Sequence, residues 1–349
     1  MATHLQKGVT KPRIAITMGD PAGIGPEIIC KALACPEVYG ICRPVVFGDL
    51  QWLRHTAASL SVGVQSAVDV QSAPAGELLA NASTILVRQA TDADVSHTPI
   101  GCISADAGKA AAEFIISAAK AALSGEFDAI VTAPINKEAI ALGGFAYPGH
   151  TELLAEVTHT RDYGMLLLSG SLRVVHVSTH VSLQEAIARV KAPRILDCIR
   201  LGHRACIDLG LANPRIAVAG LNPHAGEHGL FGSEERDEIT PAILAAQANG
   251  INATGPHPPD TVFARAVQGE FDLVVAMYHD QGHIAVKLHG FDSGVNVTIG
   301  LPIIRVSVDH GTAFDIAGQG IAREASLLEA IRVAVQMVAS KAGGEARAD

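Results

Sequence analysis

The sequence predicts an α/β protein built mostly from parallel sheets, and three features of the chain support this class. Short apolar runs rich in β-branched residues alternate with longer helical patterns, which is the chain order of βαβ units with helices on both faces of a sheet. One run, FDLVVA, is apolar at almost every position, as expected for a strand that is covered on both sides. The length of 349 residues, at roughly 150 residues per domain, suggests about two domains.

The first part of the chain contains three predicted strands and two predicted helices. A strand over residues 13–20 leads through the loop GDPAGIG into a helix, and Pro26 suits the first turn of that helix. The loop matches neither GxGxxG nor a P-loop, so a tight turn is a simpler interpretation than an anion site. A second strand lies in ICRPVVFGD. Residues 105–123 predict a helix with Ser104 as its N-cap and Gly125 just past its end, followed by the strand FDAIVTAPINK.

The second part repeats the same rhythm of strand and helix. Strands are predicted in RVVHVSTH, RIAVAGLNPHAGE and FDLVVAMYHD, and helices in PRILDCIRLGHRACIDLG, SEERDEITPAILAAQANG and SLLEAIRVAVQMVAS. No internal repeat or long linker separates the two parts, so a domain boundary has to fall within this rhythm. We predict a discontinuous first domain over residues 1–130 plus 306–349 and a second domain over residues 131–305.

Composition excludes several classes of function. The chain is 48% hydrophobic and 17% charged, and its net charge of 26 − 35 = −9 argues against general binding to nucleic acid. Six cysteines without CxxC spacing are interpreted as reduced thiols of a cytoplasmic protein. The N-terminus lacks the apolar core of a secretion signal, and no apolar run reaches the ~18 residues of a membrane span. We therefore expect a cytoplasmic protein without a nucleic-acid or membrane partner.

Histidines follow three of the predicted strands at the point where each strand ends, namely His180, His224 and His279. Ligands of open parallel sheets bind outside the carboxyl ends of the strands. A single histidine there is usually structural, but three at equivalent ends predict a site for Zn, Co, Mn or Ni with positions left open for a substrate. Asp260, after GPHPP, is either a carboxylate that orients one of these histidines or a plain helix N-cap.

Two further groups of residues suit an anionic substrate. Lys287 and Arg305 stand on either side of an apolar run that contains Asn296. A lysine point charge and an arginine fork are suited to phosphate or carboxylate, although each could also form a structural ion pair. His150 and Thr151 begin a predicted helix, where an anion is favoured; the simpler interpretation of Thr151 is that it caps this helix.

These residues belong to a set of motifs that runs from Ile14 to the closing helix. The motifs are TMGDPAGIGPEI, TAPINK, YPGHTELL, STH, NPHAGE, PPDTVF, MYHDQG, GVNVTIGLPIIR and SVDHGTAFDIAG. With them, nearly the whole chain resembles the 4-hydroxythreonine-4-phosphate dehydrogenase family of pyridoxal phosphate biosynthesis. The resemblance implies a fold similar to isocitrate and isopropylmalate dehydrogenases: two α/β/α domains with a cleft between them, in a homodimer whose sites are shared between subunits.

The resemblance also implies a role for each candidate residue. His180, His224 and His279 would bind one divalent metal (Zn, Mg, Co or Mn), with His279 reaching into the site of the other subunit, and the second domain would carry most of the site. The implied substrate contacts are His150, Thr151, Lys287, Asn296 and Arg305. The loop HGTAFDIAG resembles a dinucleotide-binding loop, so the implied NAD or NADP contacts are His310, Gly311, Thr312 and Asp315. Lys287 and Asp260 are the candidate bases, while Asp280 and His283 are left without a role.

The implied chemistry is oxidation of a phosphorylated hydroxy acid by NAD, followed by loss of CO2 from the β-keto acid. For this family it converts 4-phosphohydroxy-L-threonine into 3-amino-2-oxopropyl phosphate. D-threonate or D-erythronate 4-phosphate dehydrogenases are the alternative, because GHIAVK, which contains His283, is more similar to those catabolic relatives. A branch that oxidises dihydrodiol dicarboxylates is disfavoured by the GHT and NK motifs. A metal-dependent hydrolase or aldolase would not need the HGTAFDIAG loop, and a non-catalytic binding protein would not need a metal with open positions.

Overall fold

The computed structural model of the chain describes residues 11–60, 68–73, 80–290 and 294–345. The chain divides into two compact units, each built from two segments. Unit 1 comprises Met1–Thr158 and Arg305–Val338, and unit 2 comprises His159–Ile304 and Ala339–Asp349. Both units are α/β, as the sequence predicts.

Strands and helices alternate along the described chain. The strands are β1 (Arg13–Thr17), β2 (Arg43–Gly48), β3 (Asp69–Ser72), β4 (Thr84–Gln89), β5 (Ala129–Thr132), β6 (Gly164–Ser169), β7 (Leu172–His176), β8 (Ile216–Ala219), β9 (Ala253–His257), β10 (Leu273–Ala276), β11 (Val295–Ile299) and β12 (Ile304–Val308). The helices are α1 (Gly25–Leu33), α2 (Pro36–Ile41), α3 (Leu50–Leu60), α4 (Ala105–Leu123), α5 (Lys137–Leu142), α6 (His150–Val157), α7 (Leu183–Ala188), α8 (Ala192–Asp208), α9 (Thr240–Ala248), α10 (Val262–Val267), α11 (His279–His289) and α12 (Ala325–Glu345). Among the described residues, none of these helices has the length and hydropathy needed to cross a membrane.

The sheet of unit 1 is parallel in all the strand pairs formed by β1 to β5. Its strand order is β3-β4-β2-β1-β5-β12. The strands β1, β2 and β5 are buried along almost their whole length, because helices such as α4 cover them. The Ser104 side chain accepts a hydrogen bond from the Ala107 N–H at 3.4 Å, and Gly125 follows α4 with φ 75°. Both predicted ends of this helix are therefore confirmed.

The sheet of unit 2 is mixed. Its strand order is β11-β6-β7-β10-β8-β9, with β7, β10, β8 and β9 parallel and β6 antiparallel to both of its neighbours. A tight turn at Gly170 joins β6 to β7. The sequence analysis identified β7 but not β6, because the run GMLLLS has no β-branched residue and is as typical of a buried helix segment as of a strand.

The boundaries between the units differ from the predicted domain boundaries. Residue 130 lies inside β5, whereas unit 1 continues to Thr158, because α5 and α6 both pack against α4. The second predicted boundary, at 305/306, differs by one residue from the boundary between Ile304 and Arg305. Residues Ala339–Asp349 group with unit 2, whereas the prediction assigned them to the first domain.

Candidate functional site

The three histidines predicted to bind a metal follow three adjacent strands of unit 2. Strand β10 lies between β7 and β8 and is parallel to both, so the carboxyl ends of the three strands meet at one edge of the sheet. His180 lies shortly after β7, His224 shortly after β8, and His279 shortly after β10. The topology therefore brings all three to the sheet edge where ligands of parallel sheets bind.

His180 and His279 line one pocket of about 470 Å³. Their ring centroids are 5.7 Å apart. The Nδ1 atom of His279 is 2.7 Å from Oδ1 of Asp280, which leaves Nε2 as the ring nitrogen available to a metal. A carboxylate in this position fixes the tautomer and orientation of an imidazole ligand. Asp280, which the sequence analysis left without a role, is thus a partner of His279.

Helix α11 carries three of the residues considered in the sequence analysis on one face. The sequence analysis placed His279 at the end of a strand, but β10 ends at Ala276 and His279 is the first residue of α11. His279, His283 and Lys287 are spaced four residues apart, so they share one face of the helix. The His283 ring stacks on the His279 ring with a centroid distance of 3.6 Å, and His283 Nδ1 lies 3.1 Å from the His279 carbonyl oxygen. Stacking of His283 therefore restricts rotation of the His279 ring, which belongs to a predicted metal ligand.

His176 on β7 extends this group of imidazoles into the core. Its ring centroid is 4.7 Å from that of His283, and neither of its ring nitrogens has a hydrogen-bond partner among the described residues. Burial holds the pKa of His176 well below its ordinary value, and the neighbouring His283 adds to this effect, so the ring is neutral. A Cβ atom at Gly282 would stand 2.3 Å from His176 Nε2, so only glycine lets α11 pack this closely.

His224 does not join the pair formed by His180 and His279. It is exposed and its ring centroid is 6.5 Å from that of Phe231. Over the described residues, no group of three or more histidine, cysteine, aspartate or glutamate side chains is arranged to hold a metal ion. The donor chemistry still fits a divalent cation, because imidazoles are preferred ligands of Zn and related metals. That His279 serves a second copy of the chain stays a prediction.

Unit 1 contains three of the residues predicted to bind the substrate. Arg305 is 2% exposed and donates from Nε and Nη2 to Thr132 Oγ1 at 3.2 and 2.7 Å. Burial lowers the pKa of Arg305 to about 9, which still leaves it cationic at neutral pH. His150 begins α6, and Thr151 lies inside its first turn and does not cap it, because Gly149 holds the N-cap position.

The His150 side chain is suited to an anionic ligand near Arg305. Burial, followed by the positive charge of Arg305, holds the pKa of His150 well below its ordinary value. Its Nε2 atom is buried and has no hydrogen-bond partner among the described residues. A neutral imidazole with an unsatisfied nitrogen near a buried cation is costly unless a ligand completes the arrangement.

The remaining predicted residues are spread over both units. In unit 2, Asn296 lies on β11 opposite Leu167 of β6. Asp260 is exposed and precedes α10 without capping it, since Thr261 occupies the N-cap position. The predicted cofactor residues His310, Gly311, Thr312 and Asp315 lie in unit 1, in the loop after β12.

That loop packs against the glycine-rich loop GDPAGIG of the same unit. The carbonyl oxygen of Thr312 accepts a hydrogen bond from the Ile24 N–H at 3.0 Å. A Cβ atom at Gly23 would stand 2.9 Å from Thr312 Cβ, and a Cβ atom at Gly25 would stand 2.3 Å from the Met18 carbonyl oxygen. These glycines serve close packing, in agreement with the tight-turn interpretation of the loop.

Asp20, in the same loop, is a buried carboxyl that the sequence analysis did not single out. Its side chain is 0% exposed. Oδ1 accepts a hydrogen bond from the Ala22 N–H at 2.9 Å, whereas Oδ2 is buried without a partner among the described residues. Burial raises the pKa of Asp20 from 3.8 to about 6, and the nearby backbone N–H groups of Ala22 and Asn136 oppose this rise.

We expect Asp20→Asn to stabilise the protein at neutral pH. The folded state binds the Asp20 proton more tightly than the unfolded state, so its favourable contribution is complete below about pH 4 and is lost as the pH rises through about 6. At pH 7 the buried carboxylate therefore costs about 3 kcal/mol. Asparagine keeps the acceptor for Ala22 and does not ionise, so unfolding by urea should become harder by up to that amount at pH 7 and by almost nothing at pH 4.

Asp92→Asn is the control for this experiment, because Asp92 is exposed and its replacement should leave the urea midpoint unchanged at each pH. A gain in stability for Asp20→Asn that is the same from pH 4 to pH 8 would show that ionisation of this carboxyl is not its source.

Comparisons with known proteins agree with the resemblance. Residues 40–334 match the family described as pyridoxal phosphate biosynthetic protein PdxA. The chain is 48% identical to the 4-hydroxythreonine-4-phosphate dehydrogenase of Beijerinckia indica, over 93% of this chain and 94% of that one. It is also 48% identical to the D-threonate 4-phosphate dehydrogenase of Cupriavidus necator, over 95% and 98%. A crystal structure of 4-hydroxythreonine-4-phosphate dehydrogenase from Klebsiella pneumoniae is 47% identical and superimposes with a TM-score of 0.85, covering 94% of this chain and 100% of that one. The chain therefore belongs to the PdxA family of pyridoxal phosphate biosynthetic proteins.

Proposed function

We propose that this protein is a dehydrogenase that oxidises the CH–OH group of a phosphorylated hydroxy acid and releases CO2, using NAD or NADP and one divalent metal. The observation that carries the proposal is the placement of His180, His224 and His279 after three adjacent parallel strands. The three relatives reported above are named as dehydrogenases of phosphorylated acids, which supports the reaction class. A metal-dependent hydrolase or aldolase lacks this support.

The three histidines would hold the metal, and it would supply Lewis-acid polarisation of the substrate hydroxyl when bound. Asp280 orients His279 through Nδ1, and His283 limits rotation of the same ring by stacking on it. Lys287 is half-buried on the same face of α11, two helical turns from His279. This position supports Lys287 as the base that takes the hydroxyl proton. Asp260 is exposed and is the weaker candidate.

The substrate contacts that we propose are His150, Thr151, Lys287, Asn296 and Arg305, and among them Arg305 and His150 are the candidates for binding the phosphate. For unit 1, the support is the buried guanidinium of Arg305 together with Nε2 of His150, which has no hydrogen-bond partner in the part of the chain that the structure describes. The helix that starts at His150 adds backbone N–H groups at the same point. The dinucleotide would contact the loop containing His310, Gly311, Thr312 and Asp315, which is braced by the glycine-rich loop of unit 1.

We further propose that the protein works as a homodimer in the cytoplasm, with the metal site shared between subunits. Exposed apolar side chains lie on the two helices that contribute residues to the histidine pocket: Leu183 and Ile187 on α7, and Ile284 and Leu288 on α11. Leu288 is 83% exposed. Apolar groups left this accessible support a covering partner, and a second copy would also complete the ligand set. The six cysteines are all unpaired thiols, which agrees with a reducing compartment.

The substrate we propose first is 4-phosphohydroxy-L-threonine, which would yield 3-amino-2-oxopropyl phosphate. The second candidate is D-threonate or D-erythronate 4-phosphate, because relatives of 47% or 48% identity carry the name D-threonate 4-phosphate dehydrogenase. The two classes differ at C2, which bears an ammonium group in the first and a hydroxyl group in the second. The catalytic residues proposed above would treat the oxidised carbon in the same way.

The test is to incubate purified protein with each phosphorylated acid, NAD or NADP, and Zn, Mg, Co or Mn, and to follow NADH and CO2. We expect both products, in equal amounts, only when the cofactor and a metal are present together. The substrate with the highest kcat/KM, by tenfold or more, identifies the branch of the family. Phosphate release or carbon–carbon cleavage without any nicotinamide would instead support the hydrolase or aldolase alternative.

A further inference from the structure

The turn that carries His224 has an unusual backbone. His224, Ala225, Glu227 and His228 have φ values of 52°, 54°, 43° and 55°, and Gly226 between them has φ 80°. Five successive residues thus lie in the left-handed region, which residues other than glycine adopt singly and rarely. Such a segment persists only where its surroundings hold it in place.

One buried carboxylate fixes the two residues that lead into this turn. Glu235 is 6% exposed. Its Oε1 accepts hydrogen bonds from the backbone N–H groups of Leu221 at 2.8 Å and Asn222 at 2.7 Å, and its Oε2 accepts one from Asn222 Nδ2 at 3.0 Å. The residues just before His224 are therefore fixed by three donors that converge on a single side chain.

Two glycines allow the turn to close around this carboxylate. A Cβ atom at Gly226 would stand 2.6 Å from Glu235 Oε2, and a Cβ atom at Gly220 would stand 3.2 Å from Oε1 and 2.8 Å from Ala225 Cα. Gln281 connects the segment after β8, which carries His224, to the segment after β10, which carries His279. It accepts from the Met277 N–H at 2.7 Å and donates to the Gly220 carbonyl at 2.8 Å, so the loops after β8 and β10 are tied together.

We propose that Glu235 is a positioning residue for the metal: it holds the left-handed turn in one conformation and so fixes the place of the His224 imidazole after β8, at the edge of the sheet where His180 and His279 also follow their strands. This inference rests on the proposed function, because it assumes that His224 is a metal ligand. Glu235 itself does not contact the metal or the substrate. Its loss would release the turn to ordinary right-handed or extended conformations and withdraw one ligand out of three.

The experiment compares Co²⁺ binding by the metal-free protein in four forms: wild type, Glu235→Gln, Glu234→Gln and His224→Ala. Glu234 is the matched control: it also accepts from Asn222 Nδ2, at 2.8 Å, and from the neighbouring Ser233 N–H, whereas the backbone N–H groups of Leu221 and Asn222 donate to Glu235. Affinity is measured by competition with a chelator, ligand geometry by the visible absorption of bound Co²⁺, and fold integrity by the melting temperature without metal.

We expect Glu235→Gln to weaken Co²⁺ binding by about tenfold or more and to shift the visible spectrum toward that of His224→Ala, while Glu234→Gln stays close to wild type. A Glu235→Gln protein with wild-type affinity and spectrum overturns the inference and leaves the proposed function standing. The inference is also overturned if the metal-free melting temperature falls while the bound spectrum does not change, since that is a purely structural role. A wild-type protein that binds no Co²⁺ overturns both.

Discussion

His279→Ala is expected to lose bound metal and to lower kcat/KM by at least about a thousandfold, because several kcal/mol of transition-state stabilisation are lost with a metal ligand. His279 is the candidate ligand with the most support around it: Asp280 holds its Nδ1 and His283 stacks on its ring. Metal content and steady-state kinetics measure the effect. His289→Ala is the control, because His289 is an exposed histidine at the other end of α11 and its loss should change neither.

Mixing two inactive variants tests whether His279 serves its own chain or a second one. The His180→Ala and His279→Ala proteins are unfolded together and refolded, or are expressed together. If the ligands of each site come from both subunits, random pairing restores about a quarter of the wild-type sites, because half of the dimers are mixed and each mixed dimer has one intact site.

If the three ligands come from one chain, every site in the mixture lacks one histidine and the activity stays at the level of the separate variants. That result would contradict the predicted sharing of the site while leaving the metal chemistry intact. Full metal content and activity in His279→Ala alone would contradict the role of His279 itself.

Arg305→Met is expected to raise KM for the phosphorylated substrate by about a hundredfold, since charge-assisted hydrogen bonds to an anion contribute about 1.5–3 kcal/mol each. The same substitution should not destabilise the ligand-free protein. Burial lowers the pKa of Arg305 to about 9, so the folded protein carries the cost of a desolvated cation at all pH values below that. Methionine fills a similar volume without this cost.

The measurements are KM, the melting temperature without ligand, and the rise in melting temperature caused by inorganic phosphate. We expect the phosphate-induced rise to disappear in Arg305→Met while the ligand-free melting temperature is equal to or above that of wild type. Arg215→Met is the comparison, because Arg215 forms an exposed ion pair with Asp272 at 3.0 Å and its loss should leave the phosphate response unchanged. A strong fall in the ligand-free melting temperature with unchanged KM would make Arg305 a structural residue.

Local patterns predicted those elements whose sequence signals need no distant partner. The helix α4 follows from its alanine-rich pattern, Ser104 and Gly125, all of which act within one or two turns of the chain. The strands β1, β2 and β5 follow from apolar runs that are covered on both faces. The strand β6 was missed because its apolar run has no signal of its own, and its structure is imposed by pairing with β7 and β11.

The sequence predicted the histidines of the candidate metal site but not the residues that hold those histidines in place. Three histidines at strand ends are visible in the sequence because position after a strand is a local property. The partners of those histidines are of two kinds. Asp280 and His283 are close in sequence, yet only the start of α11 at His279, where a strand had been predicted, turns them toward the His279 ring. Glu235 accepts from Asn222 thirteen residues away, a pairing that no sequence period indicates.

By itself, the sequence determined the α/β class, the family, and the residue types that meet at the carboxyl ends of the strands, because short-range backbone preference and side-chain chemistry are local properties. The tertiary structure alone decided which strands are neighbours, so that β10 lies between β7 and β8. It also decided which polar atoms are buried with no hydrogen-bond partner among the described residues, as Oδ2 of Asp20 and Nε2 of His150 are. Those features depend on chain segments that are far apart in sequence, and burial, which sets their pKa values, exists only once the segments have packed.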